Sequence, residues 1–393
     1  MRKKLLIIGA SILQLPAIKR AKELGYYVAV ADYNPNAIGI KYADEYYNAS
    51  TIDVDAITDV ALKFKPDGIM TLATDMPMRS IAVATKALGI PGISLETAIK
   101  ATDKGEMIKA FKEYDVPSPW FYVISDFEQI KKLNITYPCI IKPTDNAGSR
   151  GVCLVENQEQ LAKAFAYSVD ASRSGSVIIE EYLTGQEVSV EAFIVDGKIN
   201  ILTITDKLTT GSPHFVEMGH SQPSQLSKAQ VSEVESVAAK AIQAVGINSG
   251  PAHVEIMVTN SGPKMIELGA RMGGDCITTH LVPLSTGIDM IQATIETSVG
   301  LIPDVTTKWK KGSAIRFLRS NTGVIKEIIG EDEAIDVLGV KEVSFTKREG
   351  DTVTDIHSSV DRIGYVIAQA ETAHEAVQIC DNVLNNVLFV KVE

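Results

Sequence analysis

The chain has 393 residues, more than one core of ordinary size accommodates, so two or three domains are expected. Its 38 basic and 49 acidic residues give a net charge of −11, which argues against a nucleic-acid coat or a protein held on an anionic membrane. The four cysteines (Cys139, Cys153, Cys276, Cys380) form no CxxC pair, arguing against a disulfide scaffold or a structural zinc, and no window approaches the roughly 20 apolar residues of a membrane span.

In chain order, Lys4–Ile8 reads as a buried strand, Gly9–Gln14 as a turn, Leu15–Leu24 as a helix and Tyr27–Ala31 as a second strand ending at Asp32. Asp55–Lys65 and Met76–Leu88 read as helices on either side of a third strand, Gly68–Leu72. This βαβ alternation predicts a parallel sheet wrapped by helices. A dinucleotide fingerprint is missing: after Gly9, Ser11 and Gln14 stand where glycines are required. Asp32 could hold a ribose or simply turn the chain. A helix is expected over Leu95–Phe111, with Lys104 near its start, and Pro117-Ser118-Pro119 marks a break. Short strands follow at Tyr137–Pro143, Ser176–Leu183, Glu187–Ile194 and Asn200–Thr205, with helices at Gln158–Tyr167 and Lys228–Val245. From about Leu301 short strands mix with helices at Ala334–Leu338 and Ala373–Asn385.

The most informative stretch is Ala252–Met257 and Lys264–Arg271, two strand-like arms about the turn Thr259-Asn260-Ser261-Gly262-Pro263. A hairpin folded about Ser261 sets Glu255 opposite Glu267, with Cβ atoms roughly 4.5–5.5 Å apart. Two carboxylates that close repel unless a proton or a cation lies between them, and hard divalent cations such as Mg²⁺ take such oxygens. Arg271 lies at an even offset from Glu267 and can share its face. His253 is expected to pack behind this site. Upstream, Lys142 ends a strand and leads into a loop with Gly148, Ser149 and Gly151, whose backbone N–H groups could approach phosphate oxygens, although the spacing is not that of a Walker A loop. Glu180-Glu181-Tyr182-Leu183 and then Glu187 could meet an adenine edge and a ribose. Taken singly, the glycine loop reads as a structural hairpin loop and Glu180-Glu181 as a solvated strand end, while the Glu255/Glu267 hairpin fits a solvated face with two unrelated acids as well as a cation site.

As an ordered set, Lys104, Lys142 with its glycine loop, Glu180, Glu181, Glu187, Glu255, Glu267 and Arg271 make the chain resemble the ATP-grasp superfamily over roughly residues 1–320. The resemblance implies a fold of α/β and α+β parts: a parallel-sheet pre-ATP-grasp domain over 1–98, an ATP-grasp fold of two α+β subdomains over 99–300 with a lid at about 115–184, and a small C-terminal α+β domain over 301–393. It further implies that Lys104, Lys142 and the loop with Ser149 hold the ATP phosphates. Glu180, Glu181 and Leu183 would meet adenine, and Glu187 the ribose. Glu255 and Glu267 would ligate Mg²⁺, with Mn²⁺ as an alternative, and Arg271 would stabilise the reacting oxygens. Many members place asparagine two residues after the second acid, where this chain has Gly269.

The implied chemistry is transfer of the γ-phosphoryl group of ATP to a carboxylate, then attack of an amine on the acyl phosphate. The segment from Thr205 to Ser224 is similar to the substrate side of amino-acid and dipeptide ligases, which nominates Glu217 for an amine and His220 for orientation. Ser313–Leu318 resembles the start of their C-terminal domain, so that Arg316 could clasp a substrate carboxylate as a bidentate fork. Asp75 and Arg79, at the carboxyl edge of the parallel sheet, are further substrate candidates. Residues 362–368 are similar to glycinamide ribonucleotide synthetases and biotin carboxylases, so a purine-pathway ligase is the alternative, and a non-catalytic ATP-binding regulator is the alternative of another class. The expected partners are a small carboxylate and an amine, in the cytoplasm, with no nucleic acid and no membrane. Ligases of this kind often pair as homodimers, although no surface in the sequence declares itself.

Overall fold

The computed structural model describes residues 2–146, 150–211 and 215–393. The first sheet is built from β1 (Lys4–Ile8), β2 (Tyr27–Asp32), β3 (Glu45–Asn48) and β4 (Gly68–Met70), all parallel in the order β3-β2-β1-β4. The apolar run Leu5–Ile8 is wholly buried, as a strand covered on both faces must be. β3 was not expected, because Glu-Tyr-Tyr-Asn shows no apolar alternation. It pairs with β2 while Tyr47 and Tyr27 pack about the Phe64 ring.

The turn after β1 is tight. Gly9 has φ +95°, and a Cβ there would meet the Gln14 side chain at 2.9 Å. Gln14 is buried and donates its amide to the Leu72 carbonyl at 2.8 Å. Asp32 accepts from the backbone N–H of Ala10 (2.7 Å) and of Asn34 (2.8 Å), so it anchors a turn.

The helix expected over Leu95–Phe111 is two helices, Leu95–Thr102 and Lys104–Glu113. Asp103 divides them: its carboxylate caps the second by accepting from Gly105 N (2.9 Å) and Glu106 N (3.1 Å). Lys104 thereby becomes the first residue of a helix, a position where the macrodipole disfavours a cation.

A four-stranded antiparallel sheet follows, made of β5 (Phe121–Ile124), β6 (Cys139–Pro143), β7 (Cys153–Val155) and β8 (Val177–Glu181) in the order β5-β8-β6-β7. Then come β9 (Gln186–Val195), β10 (Lys198–Thr209), β11 (Glu217–Gln222), β12 (Gly250–Thr259), β13 (Gly262–Gly269) and β14 (Gly312–Phe317). The last strands are β15 (Gly323–Ile329), β16 (Val340–Phe345), β17 (Thr352–Val353), β18 (Gly364–Ala370) and β19 (Phe389–Val392). β13-β12-β9-β10-β11-β14-β18-β16 form one antiparallel sheet of eight strands, and β17-β15-β19 a small one. The sheet therefore runs on through the expected boundary near residue 300, because β14 pairs directly with β11.

The helix Lys228–Val245 opens with a capping box of Ser227 and Gln230 and ends at Gly246, where φ is +84°. Val234, Ala238, Ala241, Ile242 and Val245 on this helix are buried in the cluster that also takes Val188, Val190, Ala192, Val254 and Ile256. Side chains of the Val and Ile kind contribute about 1.5–3 kcal/mol each on full burial. Alternation then sends the intervening residues of β9 and β12 to the opposite face, which is polar. Among the described residues no helix is long and apolar enough to cross a membrane.

Candidate active site

Glu255 pairs with Glu267 across the β12–β13 hairpin, as the spacing predicted, but by a different route. The tip pairs Thr259 with Gly262, so the turn centres between Asn260 and Ser261 rather than on Ser261. That register alone would set Glu255 opposite Ile266. A register shift between Glu255 and Ile256 leaves Ile266 unopposed and restores the pairing of the acids.

On the neighbouring strand, Glu187, Ser189 and Glu191 of β9 lie opposite Met257, Glu255 and His253 of β12. Opposed residues share a face, so Glu187, Glu191, His253, Glu255 and Glu267 project together. Lys207 enters this face from β10, and with only 3% of its side chain exposed it meets Glu187 (2.5 Å), Glu255 (3.4 Å) and Glu217 (3.7 Å). Burial opposes the charge of Lys207, yet Glu255, Glu187 and Glu217 raise its pKa well above the usual lysine value. Neither Lys207 nor Glu191 carried an assigned role in the sequence. The local signal was parity, since Glu187 and Glu191 are four apart on a strand.

His253 is not packed behind the site. It lies two residues from Glu255, hence on the same face, and its ring nitrogens meet Glu191 Oε1 (2.8 Å) and Glu255 Oε1 (3.2 Å). Burial would lower its pKa, but Glu191 and then Glu255 raise it to about 9, so the ring is an imidazolium at neutral pH. For Glu255, burial favours the neutral form, but Lys207, His253 and Arg271 hold the carboxyl well below the usual range. For Glu267, Lys104 overcomes both burial and the repulsion from Glu255 and lowers its pKa.

The lysines arrive from other elements. Lys104 Nζ lies 3.0 Å from Glu267 Oε2 and donates to the Asn146 carbonyl at 3.0 Å. Its unfavourable place at a helix N-terminus is thus offset by a carboxylate. Lys142, at the end of β6, forms a buried pair with Glu180 of β8 at 2.5 Å. Glu181 is half-buried and pairs with Lys264 at 2.7 Å, while Leu183 lies just beyond β8. Ser149 falls outside the described residues.

Arg271 and Asp75 form a two-pronged pair, with Nε–Oδ1 at 3.0 Å and Nη2–Oδ2 at 2.9 Å. Gly269 makes room for it: a Cβ there would lie 2.7 Å from Asp75 Oδ1 and 3.0 Å from Arg271 Nε. The asparagine common at this position could not be seated without moving that fork. Arg79 turns away to Thr102 Oγ1 at 2.8 Å.

His220 and Arg316 separate. His220 is opposite Ile315, and Gly219 is opposite Arg316, so the two side chains leave the sheet on opposite faces. Arg316 lies against Asp381 of the helix Ala373–Asn386 at 3.4 Å, away from the acids. The guanidinium on the His220 side is Arg362, whose Nη1 and Nη2 meet Asp275 at 2.8 and 2.7 Å and which stacks 3.7 Å over the Phe317 ring. His220 is buried, 3.6 Å from Asp275, with no hydrogen-bond partner at either ring nitrogen. Arg316 is therefore corrected from a substrate fork to an ion pair between β14 and the helix Ala373–Asn386.

Among the described residues no group of three or more His, Cys, Asp or Glu side chains is poised to enclose a metal. Glu255 and Glu267 are two anionic, hard oxygen donors on opposed positions, which fits Mg²⁺ bound through two carboxylates with phosphate oxygens and water completing its shell.

Residues 135–279 match an ATP-grasp domain, and residues 316–391 match L-amino acid ligase C-terminal domain 2. An alanine–anticapsin ligase of Bacillus subtilis is 27% identical over 314 residues, covering 73% of this chain and 65% of that protein. The chain thus spans less than two thirds of that relative's length. A phosphoribosylamine–glycine ligase of Caldanaerobacter subterraneus is 26% identical over 383 residues, covering 90% of this chain and 89% of its own. The crystal structure of an L-amino acid ligase from Bacillus licheniformis shares the fold, with a TM-score of 0.86 at 21% identity over 100% of this chain and 99% of that one. Enzymes of this family use ATP and Mg²⁺. The chain thus carries an ATP-grasp domain followed by an L-amino acid ligase C-terminal domain, the domain content of an ATP-dependent, ADP-forming carboxylate–amine ligase.

Proposed function

We propose that this protein activates an amino-acid carboxylate as an acyl phosphate and couples it to an amine, the amine of a second amino acid being the preferred acceptor. The observation that carries the reading is the opposed pair Glu255 and Glu267 with Lys104 3.0 Å from Glu267 and Lys207 3.4 Å from Glu255. Phosphoryl transfer needs positioning and charge neutralisation more than covalent help, and this cluster offers both. Lys104 and Lys142 hold the triphosphate, Glu180, Glu181 and Leu183 the base, and Glu187 the ribose. Glu255 and Glu267 hold Mg²⁺, for which Mn²⁺ can substitute. The ion supplies charge neutralisation at the transferred group and its bridging oxygens. Arg271, aligned by Asp75, faces the reacting oxygens. Glu217 and His220 lie on the acceptor side, beside Lys207 and Asp275. A cytoplasmic setting accords with four unpaired cysteines, and homodimer formation is part of the same reading.

A purine-pathway reaction is the second reading, favoured by the end-to-end match to the phosphoribosylamine–glycine ligase. Phosphate release from ATP and Mg²⁺, screened over pairs of amino acids and over glycine with a ribosylamine phosphate, separates the two. Release with amino-acid pairs, absent in Glu267→Gln, is expected. Release only with the sugar amine would replace the first reading by the second, and ATP binding without release under any pair would leave a regulator.

A further inference from the structure

The Glu191–His253 pair lies outside the roles assigned to nucleotide, cation and substrate. Glu191 is completely buried in the middle of β9, directly opposite His253 of β12. Its Oε1 meets His253 Nδ1 at 2.8 Å and accepts from Ser189 Oγ at 3.1 Å. The other ring nitrogen reaches Glu255 Oε1 at 3.2 Å. The chain closes over the pair at Gly273, where an added Cβ would lie 2.7 Å from His253 Nδ1 and 3.1 Å from Glu191 Oε2. Glu191 Oε2 has no hydrogen-bond partner.

For stability alone this is a poor arrangement. A buried ion pair is commonly matched or bettered by apolar side chains of the same volume, and an unpartnered carboxylate oxygen adds a desolvation cost. Its geometric effect is specific. With Oε1 of Glu255 held by the imidazole, rotation of that carboxylate is stopped, and Oε2 is left on the side of Lys207, 3.4 Å away. Carboxylate–histidine pairs that orient a ligating group act in this manner at metal centres, and their loss weakens the metal.

We propose that Glu191 and His253 are positioning residues: Glu191 fixes the imidazole, and its Nε2 side locks Glu255 so that one oxygen is presented to the divalent cation of the nucleotide complex. The inference rests on the assignment of Glu255 as a cation ligand, and the test keeps the two apart. Mn²⁺ binding to the full chain saturated with ADP is measured by electron paramagnetic resonance, alongside metal-free ADP affinity and the thermal midpoint. His253→Asn keeps a polar group near Glu191 but cannot reach Glu255, and about 10–100-fold weaker Mn²⁺ binding is expected with ADP affinity unchanged. His253→Gln restores a donor at the distance of Nε2, and recovery to within about threefold of the native value is expected, because an orienting contact is regained. Glu191→Gln, which preserves shape, should weaken Mn²⁺ in the same direction and covers the case of an Asn variant that does not fold.

Native Mn²⁺ affinity in His253→Asn and Glu191→Gln, with affinity lost in Glu255→Gln, would overturn the positioning role and leave the ligand assignment standing. Equal losses in the Asn and Gln variants, tracking a lowered thermal midpoint, would assign His253 to packing and also overturn it. Native affinity in Glu255→Gln would overturn the ligand assignment and this inference with it.

Discussion

Glu267 and Lys104 meet at 3.0 Å, one from a hairpin strand and the other from the first residue of a helix set up by the Asp103 cap. The pair joins the carboxylate and ammonium ends of the proposed nucleotide site before any nucleotide enters. Substituting Glu267→Gln keeps the shape and removes the charge. Turnover should fall by at least about 10²-fold, the scale for losing one electrostatic group at a reacting centre. Phosphate release and far-ultraviolet circular dichroism check the two halves of this outcome; near-native turnover would remove Glu267 from the chemistry.

Lys142→Ala should cost stability as well as ATP use. Lys142 and Glu180 are both buried and 2.5 Å apart, so truncation strands a carboxylate, at a cost of about 3–5 kcal/mol. Urea unfolding of Lys142→Ala, Glu180→Gln and the double variant measures the coupling. The double variant should regain most of the stability while remaining slow with ATP.

Arg271→Met should slow the chemical step more than it weakens ATP. Asp75 holds the guanidinium by two bonds and no described adenine-side residue touches it. Single-turnover kinetics against ADP affinity tests this, and a variant that loses affinity but keeps its rate once saturated would contradict the role.

Arg316→Ala should leave every substrate KM within about twofold. Its partner Asp381 is half exposed, so the pair is worth at most about 1 kcal/mol. A KM for one amino acid raised tenfold or more would return Arg316 to the substrate site by way of a rearranged sheet.

Alkaline pH should weaken the contact between β16 and the segment before β14. His280 Nε2 lies 3.2 Å from Glu342 Oε2. Burial opposes its charge, but hydrogen bonds to Cys276 and Glu342 raise its pKa to about 10. A raised value contributes stability that is complete below the unfolded histidine value of about 6.5 and is lost as pH rises through about 10. The difference in unfolding free energy between native protein and His280→Gln should be largest near pH 6 and shrink toward pH 10. A difference that grows with pH would reverse the sign and the assignment.

Much of this was legible in the chain itself. β1, β2, the helix Lys228–Val245 and the opposition of Glu255 to Glu267 follow from period and parity. That opposition was reached with a turn centred one half-step away, and a bulge at Ile266 cancelled the difference. β3 escaped notice because an edge strand needs hydrogen bonds to a neighbour more than an apolar pattern. Asp103 was read inside a helix because a short acid is tolerated there, while its capping geometry shows only once the backbone turns.

The sequence by itself determined which chemistry was present: two lysines, a run of acids and an arginine, in an order and phase set by local strand geometry. Tertiary structure alone decided which of them meet. Lys207 among three carboxylates, Glu191 behind His253, Asp75 on Arg271 and Arg362 in place of Arg316 all arise between strands or segments distant in sequence. The physical reason is that a strand's parity fixes the face a side chain takes, whereas its neighbours on that face depend on sheet order and register, which no local pattern encodes.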